Sequence, residues 1–510
     1  MATEIQQELR RFAETTTIKG VSRTVRAERR IVRVFWILAL VSCFIVLLYQ
    51  ISAVAISYSN YNVIRNSIVD FRDPQFPDVT VCNLFQLSDL DQLENYDAYL
   101  RDVETMKKYA TNYYGPNDYG LWQYVSSIPT YNTYTALLSG PPKSAQDILS
   151  ECTTYGWDLY LLMNCTTHYK LVAPLQWCQT IRGEDQSIST AALNLLLFIN
   201  ARRTNVFDTF DTWIRFSRTA GARVMVHPKG SIPNPLTAIV ISPGTETTII
   251  LKQTDSTHLP YPYGNCTEHQ NLDPGRPDSP AYNVDSCLSL CHQRQVIEKC
   301  GCLDPYMQFT EEELHLGNHS FCDNVTDLLK GNSDIIFESV NRRVYQVVCM
   351  YTFRADESRC DCRPLCFETT YETSVTTASN WPQLSKQLSF YDHYLQNFSD
   401  FSVYEEIAQA KASGNLSSEE ILERLRRLRL IEENFLQIFV RFDQRIINLV
   451  TEVPAITWET LASNLGGSFN LWLGISVPTA AEIIELIYSM VMIWLKRKKP
   501  EGNPDKTFGH

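Results

Sequence analysis

The sequence predicts a membrane protein of α+β class, in which two transmembrane helices frame a large disulfide-rich extracellular α+β domain. Three observations predict it. Two long apolar runs lie at opposite ends of the 510-residue chain. Fourteen of the 15 cysteines fall between those runs, an even number suited to pairing in an oxidising compartment. Basic residues crowd the terminal side of each run, which by the positive-inside rule keeps both termini in the cytoplasm and the intervening loop outside.

The elements follow in order. Residues 1–33 form a basic cytoplasmic segment that carries Arg10, Arg11, Lys19, Arg23, Arg26, Arg29, Arg30 and Arg33. Residues 34–56 hold no formal charge over 23 positions, enough to cross about 30 Å of hydrocarbon. A cleaved signal peptide is the alternative, but its apolar core is shorter and ends in a small-residue cleavage site. Cys43 sits inside this span.

In the extracellular stretch, 57–454, residues 78–84 (DVTVCNL) have strand-like alternation. Residues 92–138 are rich in tyrosine. Residues 237–241 and 247–251, separated by SPGTE, read as a strand pair across a turn. Helical spacing runs through 286–300, and 417–430 (SSEEILERLRRLRL) is an amphipathic helix opened by a serine cap. Alternation returns at 435–440. No internal repeat or low-complexity linker divides this stretch, so one compact domain is expected. Residues 455–495 supply a pre-pore segment and a broken second span, and 496–510 a cytoplasmic tail that opens with Lys496, Arg497, Lys498 and Lys499.

Composition narrows the function classes. Hydrophobic residues make up 44% and charged residues 20%, which excludes a wholly disordered chain. A net charge of −12 argues against a nucleic-acid partner, since neutralising phosphates needs a basic excess. The acidic loop raises local cation concentration, although solubility accounts for it equally well. Six glycosylation sequons, at Asn164, Asn265, Asn318, Asn324, Asn397 and Asn415, all lie in the loop. No nucleophile elbow, HExxH or glycine-rich phosphate loop is present, so nothing supports an enzyme. A membrane-anchored binding receptor without a pore would explain the loop, but not the glycines and glutamates of the second span.

From Cys287 the cysteines are dense: Cys287, Cys291, Cys300, Cys302, Cys322, Cys349, Cys360, Cys362 and Cys366. Zinc could use paired thiols, but extracellular thiols oxidise. A ladder of bridges, each contributing about 2–4 kcal/mol, suits a thin subdomain with a small core.

Four segments now stand in a telling order. They are 76–83 (FPDVTVCN), 282–302 (YNVDSCLSLCHQRQVIEKCGC), 360–366 (CDCRPLC) and 461–476 (LASNLGGSFNLWLGIS). In this the chain resembles the degenerin/epithelial sodium channel family, trimeric cation channels that include acid-sensing and FMRFamide-gated members. The resemblance covers nearly the whole chain and implies a trimer in the plasma membrane. It implies the bridges Cys82–Cys178, Cys266–Cys366, Cys287–Cys362, Cys291–Cys360, Cys300–Cys349 and Cys302–Cys322, with Cys152–Cys165 left over. It implies a selectivity filter at Gly474, Ile475 and Ser476, a gate near Ser463, Gly466 and Gly467, and Asn470 as the position associated with amiloride-type blockers. A bulky group at Ser463 should prop the pore open and raise resting current. Where the family carries His-Gly before the first span, this chain has Lys19-Gly20; Gly20 keeps the backbone freedom. Pro478, just past the filter, removes an amide donor.

The residues of the second span argue for a pore independently. A glutamate in hydrocarbon costs several kcal/mol, on the order of 3 by insertion scales, so Glu482 and Glu485 should face water or a partner. Three apart, they share a helix face, and in a symmetric oligomer they make two stacked carboxylate rings that concentrate cations. The competing explanation, a basic partner in the first span, finds no basic residue between Val34 and Ile56. Gly466, Gly467 and Gly474 weaken a continuous helix, and unwound backbone at membrane depth is tolerated where it lines a water-filled cavity. Carbonyls freed there suit a hard cation such as Na⁺, which is permeant ion rather than cofactor; no cofactor or metal is implied.

Three gating modes compete. Residues 57–76 hold no histidine, which lowers acid gating. The one furin-like run, 424–427, lies on the amphipathic helix, where a charged face explains it, which lowers constitutive activation by cleavage. Ligand gating is left, by a short amidated peptide of the FMRFamide type. Its arginine and aromatic ring suit Tyr113, Tyr114, Tyr119 and Trp122 through cation–π and carboxylate contacts, although tyrosine is equally a packing residue.

Overall fold

A computed structural model describes residues 2–84, 148–157, 161–172, 176–183, 190–199, 220–273, 275–276, 279–310, 319–322, 333–396 and 398–497. Two compact units emerge: one from the two ends of the chain with Tyr261–Tyr263, the other from residues 66–260 and 264–451.

The terminal unit is helical. A first helix, α1, covers Ala2–Thr15, a short α2 covers Val21–Arg26, and α3 runs over Arg30–Ser59. The second apolar run is broken into α9, Trp458–Leu473, and α10, Val477–Arg497. Two helices, Arg30–Ser59 and Val477–Leu495, are long and apolar enough to cross a membrane. The chain segments that leave the spans are tied together: Ala455 N donates to Asn62 O at 2.8 Å, Arg65 pairs with Glu452 at 3.0 Å, and the rings of Tyr61 and Tyr263 meet edge to face.

The larger unit contains two sheets. One has the strand order β11-β10-β12-β7-β3-β4, built from β3 (Leu149–Gly156), β4 (Leu161–Asn164), β7 (Thr190–Phe198), β10 (Thr245–Thr257), β11 (Phe367–Ser379) and β12 (Phe435–Pro454); β1 (Val63–Asp70) also pairs with β12. The other runs β5-β6-β2-β8-β9, from β2 (Asp78–Asn83), β5 (Thr167–Val172), β6 (Gln176–Ile181), β8 (Ala222–His227) and β9 (Ile239–Ile241). Alternate residues of both sheets, among them Val79, Val81, Leu193, Leu195, Val224, Ile249 and Ile438, share one buried core.

Strand β7 is buried on both faces. Leu193, Leu195 and Leu197 enter the core between the sheets, while Leu196 points the other way into a helical cluster, as the two-residue period requires. That second cluster holds Tyr404 and Ile407 of α6 (Ser402–Ala412), Ile421 and Leu425 of α7 (Ser418–Leu428), and Ile431 of α8 (Leu430–Asn434). Helix α7 starts at a capping box, in which Ser417 Oγ accepts from Glu420 N and the Glu420 carboxylate accepts from Ser417 N at 2.8 Å.

The structure corrects the expected strand pair at 237–241 and 247–251. Strand β9 pairs with β8 in the smaller sheet, whereas β10 pairs antiparallel with β11 and parallel with β12 in the larger. The turn between them carries the chain from one sheet to the other, with Gly244 N donating to Phe435 O at 2.8 Å. Sequence spacing alone cannot separate a hairpin from such a crossing.

Seven disulfides hold the unit: Cys82–Cys178, Cys152–Cys165, Cys266–Cys366, Cys287–Cys362, Cys291–Cys360, Cys300–Cys349 and Cys302–Cys322. Cys82 and Cys178 are direct cross-strand partners on β2 and β6. Their Cα atoms are 4.4 Å apart, the spacing of a non-hydrogen-bonded antiparallel pair. Cys300–Cys349 staples α4 (Val284–Cys300) to α5 (Ser333–Thr352), Cys287–Cys362 and Cys291–Cys360 tie α4 to the loop that follows α5, and Cys302–Cys322 closes the loop between the two helices. Cys43 is free.

Candidate functional site

The break in the second apolar run is short. Helix α9 begins at Thr457, whose Oγ1 accepts from Thr460 N at 3.3 Å, and continues without interruption to Leu473. The expected unwinding at Gly466 and Gly467 does not occur: both stay helical, on an open surface. Each costs about 1 kcal/mol relative to alanine, but an intact ladder keeps backbone groups paired in hydrocarbon, where losing one costs more. Gly474 alone turns left-handed, with φ 67°, and ends the helix as a C-terminal glycine does.

Around the break the backbone groups can be followed one by one. Gly474 N donates to Asn470 O at 3.0 Å and Ile475 N to Phe469 O at 3.3 Å. Ser476 N donates to Thr479 Oγ1 at 3.2 Å, and Ala480 N to Ser476 O at 3.0 Å, which restarts the helix as α10. Pro478 falls in the first turn of α10, where no amide donor is needed. Among the described residues, the carbonyls of Leu471 and Trp472 have no hydrogen-bond partner. They sit at the negative end of the α9 dipole.

The segment between α1 and α2 packs directly against this break. Lys19 N donates to Leu473 O at 3.0 Å. Thr17 Oγ1 lies 2.7 Å from Thr479 Oγ1. Glu482 Oε2 accepts from Thr16 Oγ1 and from Thr17 N, both at 3.0 Å. Thr479 is fully buried and serves both sides, the restart of α10 and the docked segment. Gly20 turns the chain at φ 91° into α2, and a side chain there would press on Leu40.

Of the residues singled out from sequence, the fold brings Lys19, Gly474, Ile475, Ser476 and Glu482 together. Glu485 lies further along α10, exposed, and among the described residues neither glutamate has an ion-pair partner. Ser463 and Asn470 are exposed on α9; Asn470 stands one turn before the break. Asn265 and Asn415 are exposed loop residues and Asn164 ends β4. Tyr113, Tyr114, Tyr119, Trp122, Asn318, Asn324 and Asn397 lie outside the described residues. Sequence reasoning missed Thr16, Thr17 and Thr479. The run Thr15-Thr16-Thr17 just ahead of Lys19-Gly20 was a signal only in hindsight, because its partners are more than 450 residues away.

Comparison with known proteins identifies the family. Residues 12–486 match the family described as "Amiloride-sensitive sodium channel". The chain is 25% identical to the "FMRFamide-activated amiloride-sensitive sodium channel" of Cornu aspersum, over 95% of this chain and 83% of that protein. It is 22% identical to the "Degenerin-like protein asic-2" of Caenorhabditis elegans, over 94% and 86%, and 22% identical to the "Acid-sensing ion channel 4" of Rattus norvegicus, over 96% and 81%. The chain therefore belongs to the amiloride-sensitive sodium channel (degenerin/epithelial sodium channel) family, a family of ion channels and not of enzymes.

Proposed function

We propose that this chain is the subunit of a homotrimeric, sodium-selective channel of the plasma membrane, with both termini cytoplasmic, opened by a short amidated peptide of the FMRFamide type and blocked by amiloride. The observation that carries the pore reading is the break at 474–476, flanked by two open carbonyls and followed by two carboxylates. Carbonyl oxygens at a helix C-terminus replace hydration water around a small cation, and carboxylates beyond them raise its local concentration. In this reading Gly474, Ile475 and Ser476 are the filter, Ser463 with Gly466 and Gly467 the gate, and Asn470 the blocker position. Lys19 and Gly20 hold the cytoplasmic segment against the filter.

Peptide gating is supported by the name of the Cornu aspersum relative and by the lack of a histidine between residues 57 and 76. His227, buried between Thr80 and Ser231, is pushed down to about 3 by desolvation, so it stays neutral through mild acid. The test is two-electrode voltage clamp on cells expressing the full chain alone, with FMRFamide, acid and trypsin applied in turn, each followed by amiloride. An amiloride-blocked sodium current evoked by the peptide alone is expected. A current evoked by acid or protease but not by peptide would overturn the gating reading.

A further inference from the structure

The first span carries a single side-chain amide, Gln50, among apolar, aromatic and hydroxyl residues. Ser52 nearby satisfies its hydroxyl on its own helix, through Tyr49 O at 2.8 Å. Gln50 reaches instead to the other span: its Oε1 accepts from Trp472 Nε1 at 2.8 Å. The indole has one donor, and in hydrocarbon neither group finds water as a substitute. The two polar atoms are thus matched across α3 and α9.

Trp472 is the penultimate residue of α9, two before the left-handed Gly474. Among the described residues, its own carbonyl and that of Leu471 end the helix unpaired. The direction in which a helical carbonyl points follows from the rotation of the helix about its axis. A last turn followed by glycine has little of its own to hold that rotation. An indole tethered to a neighbouring helix holds it. We infer that Gln50 is a positioning residue for ion selectivity: through Trp472 it fixes the angle at which the last carbonyls of α9 meet the permeant ion. The inference rests on the reading of 474–476 as the filter. It explains why an amide is kept in a span that has no other use for one.

The experiment measures relative Na⁺ and K⁺ permeability from reversal potentials, in the full chain opened by FMRFamide and, separately, in a Ser463→Trp background. Gln50→Leu and Trp472→Phe each remove one side of the bond and leave an apolar side chain in its place. Each is expected to lower the Na⁺/K⁺ permeability ratio by about threefold to tenfold, the range one interhelical hydrogen bond spans in a membrane. The double variant should be no worse than either single one, which a merely structural pair of independent residues would not show. Unchanged selectivity in both single variants, or additive losses, would overturn the inference. So would loss of both from the cell surface, which assigns the pair to assembly. Ser476→Cys separates the two levels: if it alters selectivity while Gln50→Leu does not, the filter reading survives and this one fails. If no variant alters selectivity, the filter reading itself is at fault and the inference falls with it.

Discussion

The backbone N–H of Lys19 donates to the carbonyl of Leu473 at 3.0 Å, and the Lys19 stem occupies the space beside the next residue, Gly474. A Cβ on Gly474 would stand 2.7 Å from Lys19 Cγ. The N-terminal segment thus caps the helix that ends at the break, and the glycine there leaves room for the Lys19 stem.

Gly474→Ala should therefore be damaging for two separate reasons. An L-residue in the left-handed region costs about 1–2 kcal/mol, and the methyl group also displaces Lys19. Sodium current per channel at the surface is expected to fall by about tenfold or more. Surface biotinylation with current recording checks it; a wild-type current per channel would refute the docking of Lys19 on the break.

Thr479→Val is nearly isosteric, yet it removes the hydroxyl that takes the Ser476 amide and meets Thr17. Leaving that amide without a partner costs about 1–3 kcal/mol. Reduced current and faster modification of a cysteine placed at Thr17 by a membrane-permeant thiol reagent are expected. Thr479→Ser, which keeps the oxygen, should behave as wild type in both assays.

The two glutamates should separate. Glu485 makes no hydrogen bond to the N-terminal segment, so Glu485→Gln should lower single-channel conductance and leave open probability alone. Glu482 holds Thr16 and Thr17, so Glu482→Gln weakens charge-assisted bonds and should change open probability as well. Single-channel recording distinguishes the two effects. Identical behaviour of the variants would argue against different roles.

Acid should destabilise the disulfide-rich middle domain through His227. Its folded pKa, about 3, lies below the ordinary 6.5 because burial penalises the charged ring. Between those values the unfolded chain binds a proton that the folded chain does not. The stability contribution is complete above about pH 6.5 and is lost as pH falls toward 3. A lower Tm for the purified channel at pH 5 than at pH 7.5 is expected, with a smaller drop in His227→Gln. An equal drop in both would assign the acid sensitivity elsewhere.

Much of this protein was legible in the residue order because the signals are local. The spans declare themselves by length and absence of charge, and α7 by a serine cap followed by glutamate. Gly474 was legible as a break, since only glycine takes that conformation cheaply; Gly466 and Gly467 look the same in sequence yet remain helical. Strand β7 (TAALNLLLF) was harder. A run apolar at nearly every position does not say which residue faces which core, and two cores claim alternate sides of it.

What the sequence by itself determined is the class of solution: two lipid-soluble segments, an oxidised domain between them, and acidic and glycine residues that hydrocarbon would not tolerate without a purpose. Those follow from composition within a few turns of chain, where solvation energy is decided. Which strand crosses to which sheet, and that Thr16 and Thr17 meet Glu482 and Gln50 meets Trp472, only the tertiary structure decided. Such pairs join positions more than 400 residues apart, and no periodicity along a chain encodes which distant donor will find a given acceptor. Their partners are chosen when the helices pack and every polar atom left in the apolar interior must be matched.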